Sequence, residues 1–162
     1  SHDRERVMNI LGGYPLARYG FDHETVYHDL DTEQYALARK RMKLLSILQY
    51  TLPGVPDLYY GDETGMQGGS DPDCRRTYPW GKEDQDLVAH FQWLGQFYHQ
   101  HPCLKAGSFE LTPLSEDVLA LERSDAAERI LIIINRTDRF MDISYKGRIF
   151  SLWPYEGKIE II

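Results

Sequence analysis

Between Gly61 and Trp80 the sequence gathers the carboxylates Asp62, Glu63, Asp71 and Asp73, the guanidinium pair Arg75 and Arg76, and the rings of Tyr78 and Trp80. Carboxylates accept hydrogen bonds from hydroxyls, a guanidinium fork donates them in pairs, and aromatic faces stack on other rings. Together they suit a polyhydroxylated ligand. The same residues in a glycine-rich surface loop would be ordinary solvated charges, and on composition alone that plainer reading is favoured. The segment has no helical or strand period, and the prolines and aromatics at its end argue for an ordered loop rather than a disordered one.

The elements that must position this loop are legible on both sides. Pro53-Gly54-Val55-Pro56 is a tight turn, and Asp57-Leu58-Tyr59-Tyr60 is short, aromatic and apolar enough for a buried strand. Upstream, Asp31 and Gln34 form the two halves of a capping box. Tyr35, Ala38, Met42 and Leu45 then recur at helical spacing over Thr32 to about Tyr50. The basic run Arg39, Lys40, Arg41 and Lys43 reads as the solvated face of that helix. Downstream, Leu87, Phe91, Leu94 and Tyr98 predict a second helix over roughly 84–99, closed by Pro102. At the N-terminus Val7, Met8, Ile10 and Leu11 give a short helix ended by Gly12-Gly13, and Tyr14 to Leu30 reads as a loop. Helix, turn and strand in this order match the unit that feeds a parallel sheet.

From Gly107 the apolar period becomes two. Strands are predicted at 109–112, 118–123, 129–135, 140–145, 149–153 and 158–162, with turn-rich pieces between them and Ile130 to Ile134 central. Short strands without intervening helices predict an antiparallel sheet or small sandwich. Alone, His2 and Asp3 would be a frayed terminus.

Gly54-Val55-Pro56, Tyr59-Tyr60-Gly61-Asp62-Glu63, Gly69, Asp71-Pro72-Asp73-Cys74-Arg75-Arg76 and Pro79-Trp80 closely resemble the last barrel strand and following loop of α-amylase-type glycoside hydrolases. Within them they are most similar to the neopullulanase, cyclomaltodextrinase and α-glucosidase branch. Ser1-His2-Asp3, with Arg6 three residues on, is similar to the fourth sequence region of the same enzymes. The resemblance implies that Asp3 is the third catalytic carboxylate, which stabilises the transition state, and that His2 contacts sugar in the cleavage subsite. It implies that Asp71 and Arg75 hold sugar in the glycone subsites, that Arg6 is structural, and that Glu63 is a fixed part of the turn rather than the acid. The implied fold class is α+β: the last βα unit of a (β/α)8 barrel over residues 1–105, followed by an antiparallel β-sandwich domain over 106–162. The implied activity is retaining hydrolysis of α-1,4, with α-1,6 kept open, glucosidic bonds in maltooligosaccharides. The nucleophile and general acid would come from earlier barrel strands, so the 162 residues alone are expected to be inactive.

With 25 acidic against 18 basic side chains and a formal charge of −7, the chain repels phosphate backbones, which disfavours nucleic acid. Hydrophobic and charged contents of 42% and 27% are those of a globular chain, and no apolar run reaches membrane length. No secretory leader is read. Cys74 and Cys103 lack disulfide or metal spacing and read as reduced thiols, so a cytoplasmic location is expected. His90, His99 and His101 lack a carboxylate at ligand spacing, so no metal and no cofactor is expected here; calcium in the parent enzyme is left open but is not supported by this segment. The expected partners are α-glucan oligosaccharides, with assembly into homo-oligomers left open. Two alternatives stand beside this reading. One is a transglycosylase of the same family. The other is a non-catalytic carbohydrate-binding or oligomerisation module that stacks sugars on Tyr78, Trp80, Trp93 or Trp153.

Overall fold

A computed structural model describes residues 3–13 and 29–162. His2 and most of the predicted loop, residues 14–28, lie outside the described residues. The chain divides into two compact units, Ser1–Met42 with Asp57–Gln92, and Lys43–Pro56 with Trp93–Ile162. Two long helices, α2 (Thr32–Thr51) and α3 (Gln85–Gln100), each contribute residues to both.

In the first unit, α1 (Val7–Leu11) starts at Arg6, whose carbonyl accepts from the Asn9 and Ile10 amides at 3.0 and 3.3 Å. The predicted capping box of α2 is formed: Gln34 N donates to Asp31 Oδ1 at 2.8 Å, and Asp31 N to Gln34 Oε1 at 3.1 Å. The basic run is not simply a solvated face. Arg41 donates to the Leu11 carbonyl at 2.8 Å, satisfying an orphan acceptor at the end of α1, and Arg39 lies 3.7 Å from Asp84. Asp84 caps α3, with Oδ1 accepting from the Asp86 and Leu87 amides and Oδ2 accepting from the Tyr35 hydroxyl at 3.0 Å. Burial first, and then the Asp84 carboxylate, push the Tyr35 hydroxyl above the ordinary tyrosine range, so it stays a donor. Ala38, Met42, Leu87 and Phe91 are the buried positions of the two helices here. Leu45, which the periodicity places on the buried stripe, is exposed. In the second unit Leu44 and Ile47 are buried instead, because the packed face changes along the helix.

The strand predicted over 57–60 is not formed. These residues carry no ladder, since a barrel strand exists only through hydrogen bonds to parallel neighbours, and the strands among the described residues all pair antiparallel elsewhere.

In the second unit six strands follow the short helix α4 (Cys103–Ala106): β1 (Ser108–Pro113), β2 (Val118–Ser124), β3 (Arg129–Asn135), β4 (Met141–Tyr145), β5 (Arg148–Leu152) and β6 (Gly157–Ile161). All six fall where the two-residue period predicts them, within one residue at most ends. They form an antiparallel sheet in the order β1-β2-β3-β6 and a hairpin of β4 and β5. Strand β3 is central, and both its faces are covered. Ile130, Ile132 and Ile134 pack with Leu121 against Leu44, Ile47, Leu94 and Leu104. Leu131 and Ile133 pack with Val118 and Ala120 against Phe150 and Leu152 of the hairpin. Burying each such side chain stabilises by about 1.5–3 kcal/mol, against about 0.5–1.5 for a net ladder hydrogen bond, so packing fixes the register. A slip of one residue would exchange the two faces.

Polar groups inside this unit are paired. Arg123 is 1% exposed and donates to the carbonyls of Thr51, Ser108 and Gly107, which satisfies the last turn of α2. Glu128 lies 2.7 Å from His101 Nδ1 and accepts from the Cys103 amide at 3.1 Å. Burial, then Glu128, push the Cys103 thiol up to about 12, so it is an inert packed group. The His101 hydrogen bond holds Glu128 below the ordinary glutamate range. Burial works against the Glu122 carboxylate, yet the bonds from Lys146 and Tyr145 outweigh it and lower that group as well. A carboxyl with a depressed native pKa gives stability that is complete above its unfolded value and lost as pH falls through the native one. Thermal midpoints are therefore expected to fall as pH drops through and below the ordinary glutamate range. Glu128→Gln should lower the midpoint at neutral pH and flatten that acid limb, and an unchanged limb would remove Glu128 as its cause.

Candidate functional site

The candidate site is built on the loop from Tyr59 to Arg76 in the first unit. Its first turn depends on Gly61, which has φ of +86°; a Cβ there would also meet Met66 Sδ at 2.5 Å. The short 3-10 turn Asp62–Thr64 follows, and a second, Asp73–Arg75, presents the dipeptide Arg75-Arg76. Glu63 lies within the first turn, and burial, then the Glu63 carboxylate, raise the Tyr78 hydroxyl above the ordinary tyrosine range.

Asp73 and Arg76 close the second turn. Arg76 Nε and Nη2 bind the two Asp73 oxygens at 2.6 and 2.7 Å, and Asp73 Oδ2 also accepts from the Gly69 amide at 2.7 Å. Such a bidentate fork is both strong and directional. Arg76 reaches Asp29 as well, at 2.5 Å, and Tyr60 donates to the Arg76 carbonyl at 2.8 Å. These acceptors hold Arg76 firmly protonated, with the Asp73 bonds the largest cause.

Arg6 binds the loop from the other side. Its side chain is fully buried; Nε donates to the Cys74 carbonyl at 2.8 Å, and Nη1 donates to the Tyr60 carbonyl at 2.5 Å and approaches Asp62 at 3.4 Å. The guanidinium carbon lies 4.1 and 4.4 Å from the ring centroids of Tyr59 and Tyr60. The main chain is tied too: Arg6 N donates to Gly68 O at 2.9 Å, and Gly68 N donates to Asn9 Oδ1 at 2.9 Å. Gly68 must be glycine for this, because a Cβ would meet Asp73 O at 2.7 Å and Arg6 Cγ at 3.2 Å. Burial raises the Asp62 carboxyl above its ordinary range against the opposing pull of Arg6, and burial likewise raises the Cys74 thiol.

Three of the four predicted site residues come together on the surface that these ties create. Arg75 Nη2 is 3.4 Å from Asp3 Oδ1, and Arg75 Nε is 2.9 Å from Asp71 Oδ1. The second contact is an ion pair rather than a hydrogen bond, since Asp71 Oδ1 has no partner of proper angle. The side chains are 64%, 42% and 48% exposed for Asp3, Asp71 and Arg75, so a ligand could reach all three. Two carboxylates to one guanidinium leave the cluster net negative. A cavity of about 430 Å³ in the same unit lies elsewhere, lined by residues that include Asp29, Tyr35, Arg76 and Lys82.

Of the aromatic candidates, Trp80 is 81% exposed and Tyr78 lies against it at 4.5 Å. Trp93 stacks on Phe97 and Trp153 meets Phe140 edge-on. The residues that sequence reasoning underrated are Arg6, Asn9 and the Asp73–Arg76 fork. For the fork, the spacing of three in sequence was the available signal. For Arg6 the resemblance implied a structural role but not its partners, and for Asn9 there was no signal, because those partners lie more than fifty positions away. Among the described residues no group of three or more His, Cys, Asp or Glu is arranged to hold a metal ion, and no helix is long and apolar enough to cross a membrane.

No family profile matches the chain. It is 38% identical over 145 residues to an amylopullulanase of Thermoanaerobacter thermohydrosulfuricus, covering 86% of this chain and 8% of that one. It is 32% identical over 148 residues to a cyclomaltodextrinase of a Bacillus species, covering 82% and 26%. The chain thus spans about a quarter or less of the length of these two relatives. Its fold is similar to that of a ligand-free cyclic α-maltosyl-(1→6)-maltose hydrolase from Arthrobacter globiformis, with a TM-score of 0.76 over 99% of this chain and 33% of that one, at 23% identity.

Gly68→Ala should push the loop away from Arg6 and cost about 1–3 kcal/mol, the usual range for overpacking. Denaturant unfolding of the variant checks this, and an unchanged midpoint would mean that the contact between Arg6 and the loop yields without cost.

Proposed function

We propose, for a chain that belongs with the α-amylase-type glycoside hydrolases of the neopullulanase and cyclomaltodextrinase branch, that these residues are the C-terminal part of a retaining enzyme. Its substrates are maltooligosaccharides and related α-glucans, cleaved at α-1,4 bonds and, in the broader reading, at α-1,6 bonds. Residues 1–105 are the closing part of its barrel and 106–162 the trailing β-domain. The observation that carries this reading is the meeting of Asp3 with Asp71 about Arg75, although 68 positions separate the two aspartates in sequence.

Retaining hydrolysis needs a nucleophilic carboxylate and a general acid roughly 5–5.5 Å apart, with positive charge developing on the sugar ring between them. Neither is assigned within these residues; both come from earlier barrel strands of the longer enzyme. Asp3 supplies a third carboxylate whose charge, in a net-negative cluster, favours that transition state over the neutral substrate. Asp71 accepts hydrogen bonds from sugar hydroxyls and Arg75 donates them, so these two bind rather than react. His2 completes the sugar contacts. Before substrate arrives Arg75 sits between the aspartates, which keeps two like charges from repelling each other.

In the full-length enzyme Asp3→Asn should lower kcat on maltotriose by at least about a hundredfold, whereas Asp71→Asn and Arg75→Ala should act mainly by raising KM. The 162 residues alone should release no reducing sugar from maltotriose or pullulan. An Asp3→Asn enzyme with undiminished kcat would end this reading.

A further inference from the structure

Resting on the function just proposed, we infer that Arg6 is a positioning residue: its buried guanidinium fixes the Asp3 segment against the loop so that Asp3 faces the Asp71–Arg75 pair. Arg6 is three residues from Asp3, and three residues of chain reach at most about 10 Å, so whatever holds Arg6 confines Asp3. What holds Arg6 is the loop itself. Its Nε donates to the carbonyl of Cys74, which belongs to the peptide leading directly into Arg75. One side chain therefore grips the backbone next to one member of the cluster while its own backbone carries another.

The grip is over-determined in direction. Nη1 takes the Tyr60 carbonyl, fourteen positions before Cys74, so the fork spans both ends of the loop. The Tyr59 and Tyr60 rings lie within 4.4 Å of the guanidinium carbon and limit its tilt, and the bonds of the Gly68 main chain to the Arg6 amide and the Asn9 side chain fix the register of the whole segment. A lysine could meet one carbonyl but not two at fork spacing, nor stack as a plane.

Stability alone is a poor reason for such a group. Burying an ion costs several kcal/mol, and well-packed apolar residues often replace buried charges without loss. Here the cost is raised further, because Nη2 is buried without a hydrogen-bond partner among the described residues. Orientation is what a guanidinium adds and an apolar side chain cannot. Misplacing a reacting group by about 1 Å can cost a hundredfold in rate, so orientation here has a catalytic consequence.

The test uses the full-length enzyme. Arg6→Lys keeps the charge and the stem but loses the fork, and should lower kcat on maltotriose at least about tenfold while KM changes less than about threefold. In Arg6→Ala, millimolar guanidinium should restore kcat severalfold, and the same salt should do nothing for Asp3→Asn. A folded Arg6→Lys enzyme with unchanged kcat, a loss confined to KM, or a folded Arg6→Ala enzyme indifferent to guanidinium would each overturn the inference. If neither Arg6 variant folds, Tyr59→Leu removes one aromatic face and leaves the hydrogen bonds. It should reproduce the kcat-selective loss, and an unchanged kcat refutes the inference. Asp3-dependent hydrolysis that ignores Arg6 sinks this inference alone. Hydrolysis that ignores Asp3 sinks the proposed function and this inference with it.

Discussion

A single buried guanidinium governs the arrangement of the first unit. Arg6 is fully enclosed, and it is enclosed by the loop whose charged tip it organises. An arginine in that position is tolerable because two carbonyls, two aromatic faces and the partly buried Asp62 replace most of its hydration. The Gly68 backbone approaches so closely that only a residue without a Cβ fits, which ties the loop's composition to the presence of the arginine. The exposed cluster of Asp3, Asp71 and Arg75 is the outer surface of that buried assembly.

The second fork, Arg76 on Asp73, does comparable work closer to the tip. It differs in kind from the Arg75 contacts, although the two arginines are neighbours. Arg76 makes short bidentate bonds to a carboxylate that is only 3% exposed, whereas Arg75 is 48% exposed and pairs with two exposed aspartates. Bonds of the first sort hold a turn closed; exposed pairs of the second sort contribute little to stability. The division between buried and exposed charge in this loop thus does not follow residue type.

The second unit rests on a different device. Strand β3 is apolar along its whole length because helices α2, α3 and α4 cover one face within the unit and the β4–β5 hairpin covers the other. The few charges inside it, Arg123, Glu122 and Glu128, each join pieces distant in sequence: Arg123 ties β2 to the end of α2, Glu122 ties it to the hairpin, and Glu128 ties the β2–β3 turn to α4.

By itself the sequence determined most of the local structure and the residue types of the loop. The capping box of Asp31 and Gln34, the helical stripes and all six strands were legible, because caps and periodicities depend on residues a few positions apart. The residue types of the candidate site were legible for the same reason: Asp71 and Arg75 sit in one loop. Tertiary structure alone decided the rest. The stretch 57–60 has strand composition but no neighbour to pair with, Leu45 falls off a stripe whose buried face changes along the helix, and Arg41 leaves the solvated face to cap a helix end. It also decided that Asp3 meets Arg75, seventy-two positions away, and that Arg6 binds the carbonyl of Cys74 next to Arg75. Partners so far apart share no spacing rule, and only the folded chain brings their donors and acceptors within reach.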